Sequence, residues 1–253
     1  MSSSNSTIAM NEDRHGSVQN GFQPGDIISY IEMCGAVGVS LQRGMNYHLC
    51  GEESVILMSR RVGAPYQDEI DESGTILTYE GHDCSKRDCT DPKDVDQPDR
   101  FPNGGLTQNG LFAAAVTRVK ENGALPEKVR VFEKIRDGIW VYNGVFELLD
   151  VQNNYSRGRR VFKFTLKVLN SGDHRFQNDR GTGLDDDRII PGSVKLEVWK
   201  RDKGMCQISG CGAKTGLHFD HIIPYSKGGS SKDPNNIQIL CGRHNLAKRD
   251  NIE

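Results

Sequence analysis

The chain has 253 residues, a formal net charge of −2 and seven cysteines. This length is enough for one large domain or two smaller ones, each with its own buried core. The sequence contains no run of about 18 apolar residues, which excludes a membrane-spanning helix of ordinary length. The first residues do not resemble a secretory signal, so the odd number of cysteines favours reduced thiols or metal ligands over a disulfide framework. We therefore expect a cytoplasmic protein without membrane contact.

Composition divides the chain into four segments. Residues 1–22 are polar and are predicted to form a disordered N-terminal tail. Residues 23–171 contain short apolar runs bounded by turn residues, which indicates a first folded domain. Residues 172–192 are rich in Gly and Asp and are typical of a linker. Residues 193–253 carry ten Lys and Arg against six Asp and Glu, and this net charge of +4 favours an approach to phosphates.

The first folded domain is predicted to be rich in β-structure. Strands are predicted at residues 54–59, 74–79, 129–132, 139–142 and 160–166. Apolar residues recur at helical spacing over residues 109–120, which predicts a helix there. Asp137-Gly138 and Asn143-Gly144 are strong turn signals on either side of the fourth strand. The pattern favours a mostly antiparallel, curved sheet or barrel with a few helices.

Four potential metal ligands of the last segment form two pairs. Four residues separate Cys206 from Cys211, and two separate Cys241 from His244. Such spacings place two side chains on one turn, and two such turns complete a closed tetrahedral zinc site. A closed site leaves no position for a substrate, so we expect a structural zinc that stabilises a segment too small for a large core. The alternative is a set of free thiols with a surface histidine.

The residues between and after these pairs carry a second pattern. In chain order they are Asp220-His221-Ile222-Ile223-Pro224, Gly228-Gly229, Asn236, Leu240-Cys241, and Asn245 with Lys248. With this combination, residues 193–253 resemble the HNH (ββα-metal) nuclease family. The resemblance implies a metal-dependent DNA endonuclease domain.

The resemblance also implies a role for each polar residue of the pattern. Asp220 is implied as a hard carboxylate ligand for a catalytic Mg²⁺ or Mn²⁺ ion, and Asn245 as the second ligand of that metal. His221 is implied as the general base that deprotonates the attacking water. Asn236 is implied to orient this histidine. The basic residues expected to neutralise flanking phosphates are Arg243, Lys248 and Arg249.

His244 departs from the family pattern, which often has a fourth cysteine at this position. Its imidazole has two alternatives: the zinc site with the three cysteines, or the catalytic metal beside Asp220, which would leave the zinc site open. The spacing of Cys241 and His244 repeats the geometry of a zinc knuckle. We therefore predict that His244 binds the structural zinc.

Three stretches of the first folded domain, in this order, resemble the SRA (YDG) family, which binds modified cytosine in DNA. The stretches are 54–59 with 65–71 and 78–81, then 106–111, and finally 129–132 with 140–146. The resemblance implies that the protein flips a modified base out of the duplex and reads it in a pocket.

The resemblance assigns the pocket residues by position. Tyr66 and Tyr79 are implied as the aromatic rings that sandwich the flipped base. The carboxylate that reads the base edge is either Asp68 or Glu69, since an acidic residue stands at both positions. Without the resemblance, the tyrosines would be ordinary strand aromatics and the acids ordinary turn residues.

Cys84 and Cys89 lie close to His82 and offer another set of soft ligands. No further pair of ligands stands nearby in the sequence. We therefore predict free thiols at both cysteines rather than a second metal site.

Together these patterns predict an α+β fold: an SRA-like curved β-barrel or sheet domain with a few helices, followed by a zinc-stapled ββα-metal (HNH) domain. The function that fits is that of a type IV modification-dependent restriction endonuclease in the bacterial cytoplasm. Such a protein would flip 5-methylcytosine or 5-hydroxymethylcytosine in double-stranded DNA and hydrolyse phosphodiester bonds nearby. Since one HNH site cuts one strand, we expect a homodimer.

The patterns leave two alternatives. The first is an HNH restriction or nicking endonuclease that reads the base sequence without recognising a modified base. The second is a catalytically inactive DNA-binding protein, which the presence of Asp220, His221, Asn236 and Asn245 disfavours.

Overall fold

The computed structural model describes residues 21–49, 53–71, 74–169 and 189–248. Its strands are β1 (Asp26–Ser29), β2 (Met45–Leu49), β3 (Glu53–Met58), β4 (Glu69–Ile70), β5 (Ile76–Glu80), β6 (Glu127–Arg136), β7 (Ile139–Ser156), β8 (Arg159–Val168), β9 (Leu217–His221) and β10 (Ile237–Cys241). Its helices are α1 (Tyr30–Val37), α2 (Gln108–Asn122), α3 (Gly192–Arg201) and α4 (Gly242–Lys248), with short 3-10 turns at Tyr225–Lys227 and Pro234–Asn236. Most of the predicted tail and most of the predicted linker lie outside the described residues.

The five predicted strands and the predicted helix are present. The strands correspond to β3, β5, β6, β7 and β8, and the helix is α2. Thr107 caps α2, because its side chain accepts a hydrogen bond of 3.2 Å from the Gly110 amide. Gly123 ends the helix in the left-handed conformation, with φ of +63°. Within the described ranges, no helix is long and apolar enough to cross a membrane.

The described strands form one sheet. Its main path runs β10-β9-β1-β7-β6-β3-β2, while β8 pairs with β7 and β5, and β5 also pairs with β4. Among the described strands, β3 and β6 are parallel and the other pairs are antiparallel. The prediction of a mostly antiparallel sheet is therefore confirmed. Strand β1 pairs with β7 on one side and with β9 on the other, so the sheet continues into the C-terminal segment.

Asn143 and Gly144 lie inside β7, so the prediction of a turn there is wrong. The pairing of β7 with β6 changes register at this point, as in a β-bulge. Gly144 has φ of +95°, a conformation that glycine adopts at low cost. A β-bulge and a hairpin turn both need a residue with positive φ, which the glycine of an Asn-Gly pair supplies. The sequence alone therefore does not distinguish the two.

Two apolar clusters support the regions that matter for function. The first includes Phe112 of α2 with residues of β3, β5, β6, β7 and β8. The second includes Val194 and Val198 of α3, residues of β9 and β10, and Val141 of β7. Because Val141 belongs to this second cluster, the C-terminal segment packs directly on the long strand that crosses the first part of the chain.

A buried charged network also joins α3 to the sheet. The Lys195 ammonium donates to Glu133 Oε2 at 2.8 Å and to Asn143 Oδ1 at 2.6 Å. Arg60 Nε lies 3.2 Å from Glu133 Oε1. Burial raises the pKa of Glu133, but the cations Lys195 and Arg60 outweigh it and hold the pKa below its ordinary value. The carboxylate is therefore charged and fixes the start of α3 against β6.

Candidate nuclease and base-recognition sites

Cys206, Cys211, Cys241 and His244 converge on one point, where their ligand atoms all lie within 4.8 Å of one another. His244 Nδ1 is 3.3 Å from Cys206 Sγ and 3.4 Å from Cys241 Sγ, and the sulfurs of Cys211 and Cys241 are 3.9 Å apart. A tetrahedral zinc with ordinary bond lengths separates its sulfur and nitrogen ligands by about 3.5 to 3.8 Å. The donor set therefore fits zinc.

The local structure also prepares these side chains for a metal. Cys241 ends β10 and His244 lies on α4, so the turn into the helix brings both to the loop that carries Cys206. Hydrogen bonds from the His244 backbone lower the pKa of Cys241, while burial raises the pKa of Cys206. A lowered pKa favours the thiolate, which is the form that binds zinc. Because His244 Nδ1 faces the sulfurs, the geometry favours the predicted zinc role over a place at the catalytic metal.

Asp220 and His221 are neighbours at the end of β9, where they pair with Gln238 and Ile237 of β10. Consecutive strand residues point to opposite faces, so the carboxylate and the imidazole diverge. Asp220 Oδ2 accepts a hydrogen bond of 3.2 Å from Gln238 Nε2. Asn245 is half-buried on α4, the helix that follows β10. A carboxylate and an amide are the oxygen donors that Mg²⁺ or Mn²⁺ prefers, so the chemistry of these residues fits the predicted metal.

His221 has a partner that the sequence analysis did not identify. Its Nε2 lies 2.8 Å from Ser231 Oγ, and Ser231 is buried. The contact holds one ring nitrogen and so restricts the orientation of the imidazole. No spacing rule points to Ser231, because it stands ten residues after His221, in the loop between β9 and β10.

The Asn236 side chain braces the loop between β9 and β10. Its Nδ2 donates to the carbonyl oxygens of Ile223 at 3.0 Å and Ser230 at 3.2 Å, and its Oδ1 accepts from the Ile223 amide at 2.8 Å. Gly229 is packed so closely that a Cβ there would collide with the Ile223 carbonyl oxygen. Asn236 therefore fixes the loop that carries Ser231 against His221.

Lys248 is 2% exposed, which conflicts with the predicted contact to DNA phosphate. Its ammonium donates to the His221 carbonyl oxygen at 2.6 Å and lies 3.1 Å from Asp220 Oδ2. The expectation was wrong because α4 packs against β9 and turns this side chain inward. Arg243 is exposed on the same helix, as a phosphate contact requires. Arg249 lies outside the described residues.

A cavity of about 570 Å³ in the first part of the chain is lined by three of the four predicted base-binding residues. These are Tyr66, Asp68 and Tyr79. The cationic residues that also line it are Arg43, Arg61 and Lys134. We call this space the base cavity; its cations favour the approach of a DNA strand.

Asp68, not Glu69, reaches the base cavity. Asp68 is buried, and its two carboxylate oxygens accept hydrogen bonds from the amides of Glu80 at 3.1 Å and Ser59 at 3.0 Å. Burial raises the pKa of Asp68 to about 7, although these two hydrogen bonds act in the opposite direction. Glu69 is exposed and lies in β4 opposite Thr78.

His82 lies beside both predicted stacking tyrosines. Its ring stacks on Tyr66, with centroids 5.5 Å apart and planes 19° apart, and its Nε2 is 3.2 Å from the Tyr79 hydroxyl. Burial lowers the pKa of His82 to about 4, so the imidazole is neutral at physiological pH. Tyr79 is 1% exposed, and its ring is closed to a ligand in this structure. A base stacked between the two tyrosines therefore requires His82 to move.

Cys84 and Cys89 form a disulfide, so the prediction of free thiols at these positions is wrong. The Cys89 amide donates to the Ser85 carbonyl oxygen, and this turn brings the two sulfurs together. The spacing of the two cysteines can be read from the sequence, but spacing alone does not predict this turn. Among the described cysteines, Cys34, Cys206, Cys211 and Cys241 are free.

Residues 206–251 match the model of the HNH family, described as HNH endonuclease. The HNH resemblance is confirmed. The match covers less than half of the chain, so it applies to residues 206–251, which we call the HNH segment. A search of curated proteins gives no significant match.

Three solved structures illustrate the likeness of larger parts of the chain. The SUVH5 SRA complex with hemimethylated CG DNA is 24% identical and aligns with 64% of this chain and 94% of its own, at a TM-score of 0.42. The modification-dependent TagI restriction endonuclease is 17% identical. It aligns with 90% of this chain and 78% of its own, at a TM-score of 0.39. The phosphorothioation-dependent restriction endonuclease ScoMcrA is 15% identical. It aligns with 90% of this chain and 59% of its own, also at a TM-score of 0.39.

Proposed function

We propose that this protein is a modification-dependent DNA endonuclease. The proposal rests on one arrangement: the same sheet carries the HNH pair Asp220 and His221 and borders a cavity that contains Tyr66 and Asp68. Strand β1 pairs on both sides, with β7 and with β9. A reader and a nuclease built on one sheet act on the same stretch of DNA, which couples recognition of a base to cleavage nearby.

The base cavity supplies a chemical basis for reading cytosine. Burial favours the protonated form of Asp68, which offers one donor and one acceptor. The Watson–Crick edge of cytosine offers the complementary pair, the N3 acceptor and the N4 amino donor. Tyr66 would stack on the flipped base, and such stacking contributes roughly 1–3 kcal/mol, comparable with the cost of unstacking. We infer that the base is 5-methylcytosine or 5-hydroxymethylcytosine.

The HNH segment supplies the groups for phosphodiester hydrolysis. Asp220 and Asn245 would hold Mg²⁺ or Mn²⁺, which stabilises the charged phosphate and the leaving oxygen. His221 accepts the proton of the attacking water, while Ser231 holds the imidazole at Nε2. Lys248 fixes the Asp220 carboxylate and the backbone of His221 from inside the protein. Zinc at the four-ligand cluster would stabilise the segment around these groups.

A homodimer belongs to the same proposal. One HNH site cuts one strand, so a break in both strands takes two copies or two binding events. Size-exclusion chromatography with and without modified DNA measures the assembly directly. A monomer under both conditions would contradict the dimer and leave the nuclease proposal intact.

The test of the proposed function uses one plasmid in three forms: unmodified, 5-methylcytosine-modified and 5-hydroxymethylcytosine-modified. The purified protein is incubated with each form in Mg²⁺ or Mn²⁺, beside the His221→Ala variant. We expect cleavage of a modified form and its loss in the variant. Equal cleavage of the three forms would keep the nuclease and reject the modified-base reader. Failure to cleave any form would contradict the proposal.

A further inference from the structure

A second cavity, of about 400 Å³, lies where the HNH segment meets the first part of the chain. Arg60 and Asp71, which follow β3 and β4, form one side. Ser230, Ser231 and Lys232, from the loop between β9 and β10, form the other. We call this space the junction cavity. It shares no lining residue with the base cavity.

The wall of the junction cavity has more positive than negative charge. Arg60 and Lys195 share a single carboxylate, that of Glu133, at 3.2 and 2.8 Å. Arg60 Nη2 is buried and has no hydrogen-bond partner among the described residues. One of the two cations is therefore not neutralised. Lys232 adds an exposed ammonium on the opposite side, without an ion pair in the described part of the chain.

Asp71, the one acidic residue among the described residues that line the junction cavity, stands against two cations, Arg60 and Lys232, so the lining keeps a net positive charge. Asp71 Oδ1 accepts hydrogen bonds of 2.8 Å from the amides of Thr75 and Ile76, so this carboxylate closes the turn before β5. Ser230 Oγ accepts from the Lys232 amide at 3.1 Å, and its hydroxyl proton remains available to a ligand. Two cations and one available hydroxyl donor that line the same cavity match the oxygens of a phosphate.

The junction cavity is also next to the candidate general base. Ser231 lines the cavity, and its hydroxyl lies 2.8 Å from His221 Nε2. An anion in the cavity is therefore one side chain away from the catalytic imidazole. A backbone phosphate that neighbours the bond to be cut would occupy such a position.

We propose that the junction cavity binds a DNA backbone phosphate flanking the cleaved bond, through Arg60, Lys232 and Ser230. The proposal rests on the proposed nuclease function. The bound phosphate holds the strand between the base cavity and the HNH segment and so sets where the cut falls relative to the modified base. Phosphate contacts of this kind fix the register of a protein on DNA.

The experiment measures DNA binding at several salt concentrations with full-length protein carrying His221→Ala, so that the substrate stays intact. Adding Lys232→Gln should reduce the slope of log K against log salt by about 0.9, the value for one released counterion. The matched control is Lys227→Gln, since Lys227 is exposed on the same loop but does not line the junction cavity. We expect an unchanged slope in this control. Arg60→Gln provides a second variant, accepted only if its thermal melt shows a folded protein.

Each outcome decides the proposal. A smaller salt slope in Lys232→Gln but not in Lys227→Gln supports phosphate binding at the junction cavity. Equal slopes in the two lysine variants overturn it. A parallel thermal melt in inorganic phosphate distinguishes a site for free phosphate from a site for a DNA phosphate. If phosphate raises the melting temperature only when Lys232 is present, and Lys232→Gln leaves the salt slope of DNA binding unchanged, the cavity binds free phosphate and the DNA assignment is overturned. The slopes are measured on modified and unmodified duplexes. If Lys232→Gln reduces the slope on both duplexes and the protein binds them with equal affinity, the modified-base reader is rejected and the phosphate site in the junction cavity is retained.

Discussion

The ammonium of Lys248 lies 3.1 Å from Asp220 Oδ2 and donates to the His221 carbonyl oxygen at 2.6 Å. One buried side chain from the last described turn thus contacts both residues of the HNH pair. It neutralises the carboxylate and fixes the end of β9. Lys248 therefore positions the two residues that we propose as catalytic, although its charge first indicated a contact with DNA.

Replacing Lys248 with methionine keeps an unbranched side chain that is one atom shorter and removes its charge. We expect the cleavage rate to fall at least tenfold, because Asp220 loses its counter-charge and the His221 carbonyl loses a donor. The free energy of unfolding should fall by about 2 kcal/mol, since breaking a buried pair leaves an uncompensated charge. Urea unfolding and plasmid cleavage measure the two effects. Lys227→Met, at an exposed position, is the control; equal behaviour of the two variants would contradict this role.

Ser231→Ala tests whether the hydroxyl positions His221. The variant removes a contact of 2.8 Å to Nε2 and keeps the backbone of the loop. We expect cleavage to slow by about 10- to 100-fold, in the range of a misaligned general base, with DNA binding unchanged. Ser231→Thr retains the hydroxyl and should recover most of the rate. A loss of DNA affinity in Ser231→Ala, at an unchanged rate for bound DNA, would show that the residue serves binding instead.

The two groups of predicted site residues differ in how far the sequence defines them. Cys206, Cys211, Cys241 and His244 converge as predicted because each pair lies on one turn, so local spacing fixes half of the geometry. The two turns are brought together by the pairing of β9 with β10, which places Cys241 opposite Leu217, six residues after Cys211.

Contacts that depend on the packing of two elements or on the path of a loop were not predicted. The inward direction of Lys248 depends on how α4 packs against β9, and the contact of Ser231 with His221 depends on the path of a loop. The disulfide of Cys84 with Cys89 depends on a turn that spacing does not specify. Composition and periodicity describe which face of an element is apolar, but they do not describe where two packed elements bring their polar atoms.

Loss of the four-ligand cluster should unfold the HNH segment. Cys206→Ser removes one buried ligand, and we expect the zinc content to fall from one equivalent per chain towards zero, with lost cleavage and a lower melting temperature. Elemental analysis and thermal melts measure these effects. Cys34→Ser is the matched control, since Cys34 is a free cysteine outside the cluster. A wild type without zinc that melts like the Cys206→Ser variant would contradict a structural metal.

The raised pKa of Asp68 predicts how the free energy of unfolding changes with pH. Its pKa is about 7 in the folded protein and 3.8 in its ordinary state. Between these values the unfolded chain loses the proton while the folded protein keeps it. The contribution to stability is therefore complete below about pH 4 and is lost as the pH rises through 7. Asp68→Asn does not titrate, so its stability relative to the wild type should increase from pH 5 to pH 8, by at most about 3 kcal/mol.

Base recognition should follow the same titration, because only the protonated carboxyl offers both a donor and an acceptor to cytosine. With His221→Ala protein, the affinity for a modified duplex should fall as the pH rises from 6 to 8.5. In the double variant with Asp68→Asn, whose amide also offers a donor and an acceptor, the affinity should stay near its low-pH value and be independent of pH over this range. Glu69→Gln, at the exposed neighbouring position, should behave like the parent. A pH profile that survives in Asp68→Asn but disappears in Glu69→Gln would assign the reading carboxylate to Glu69.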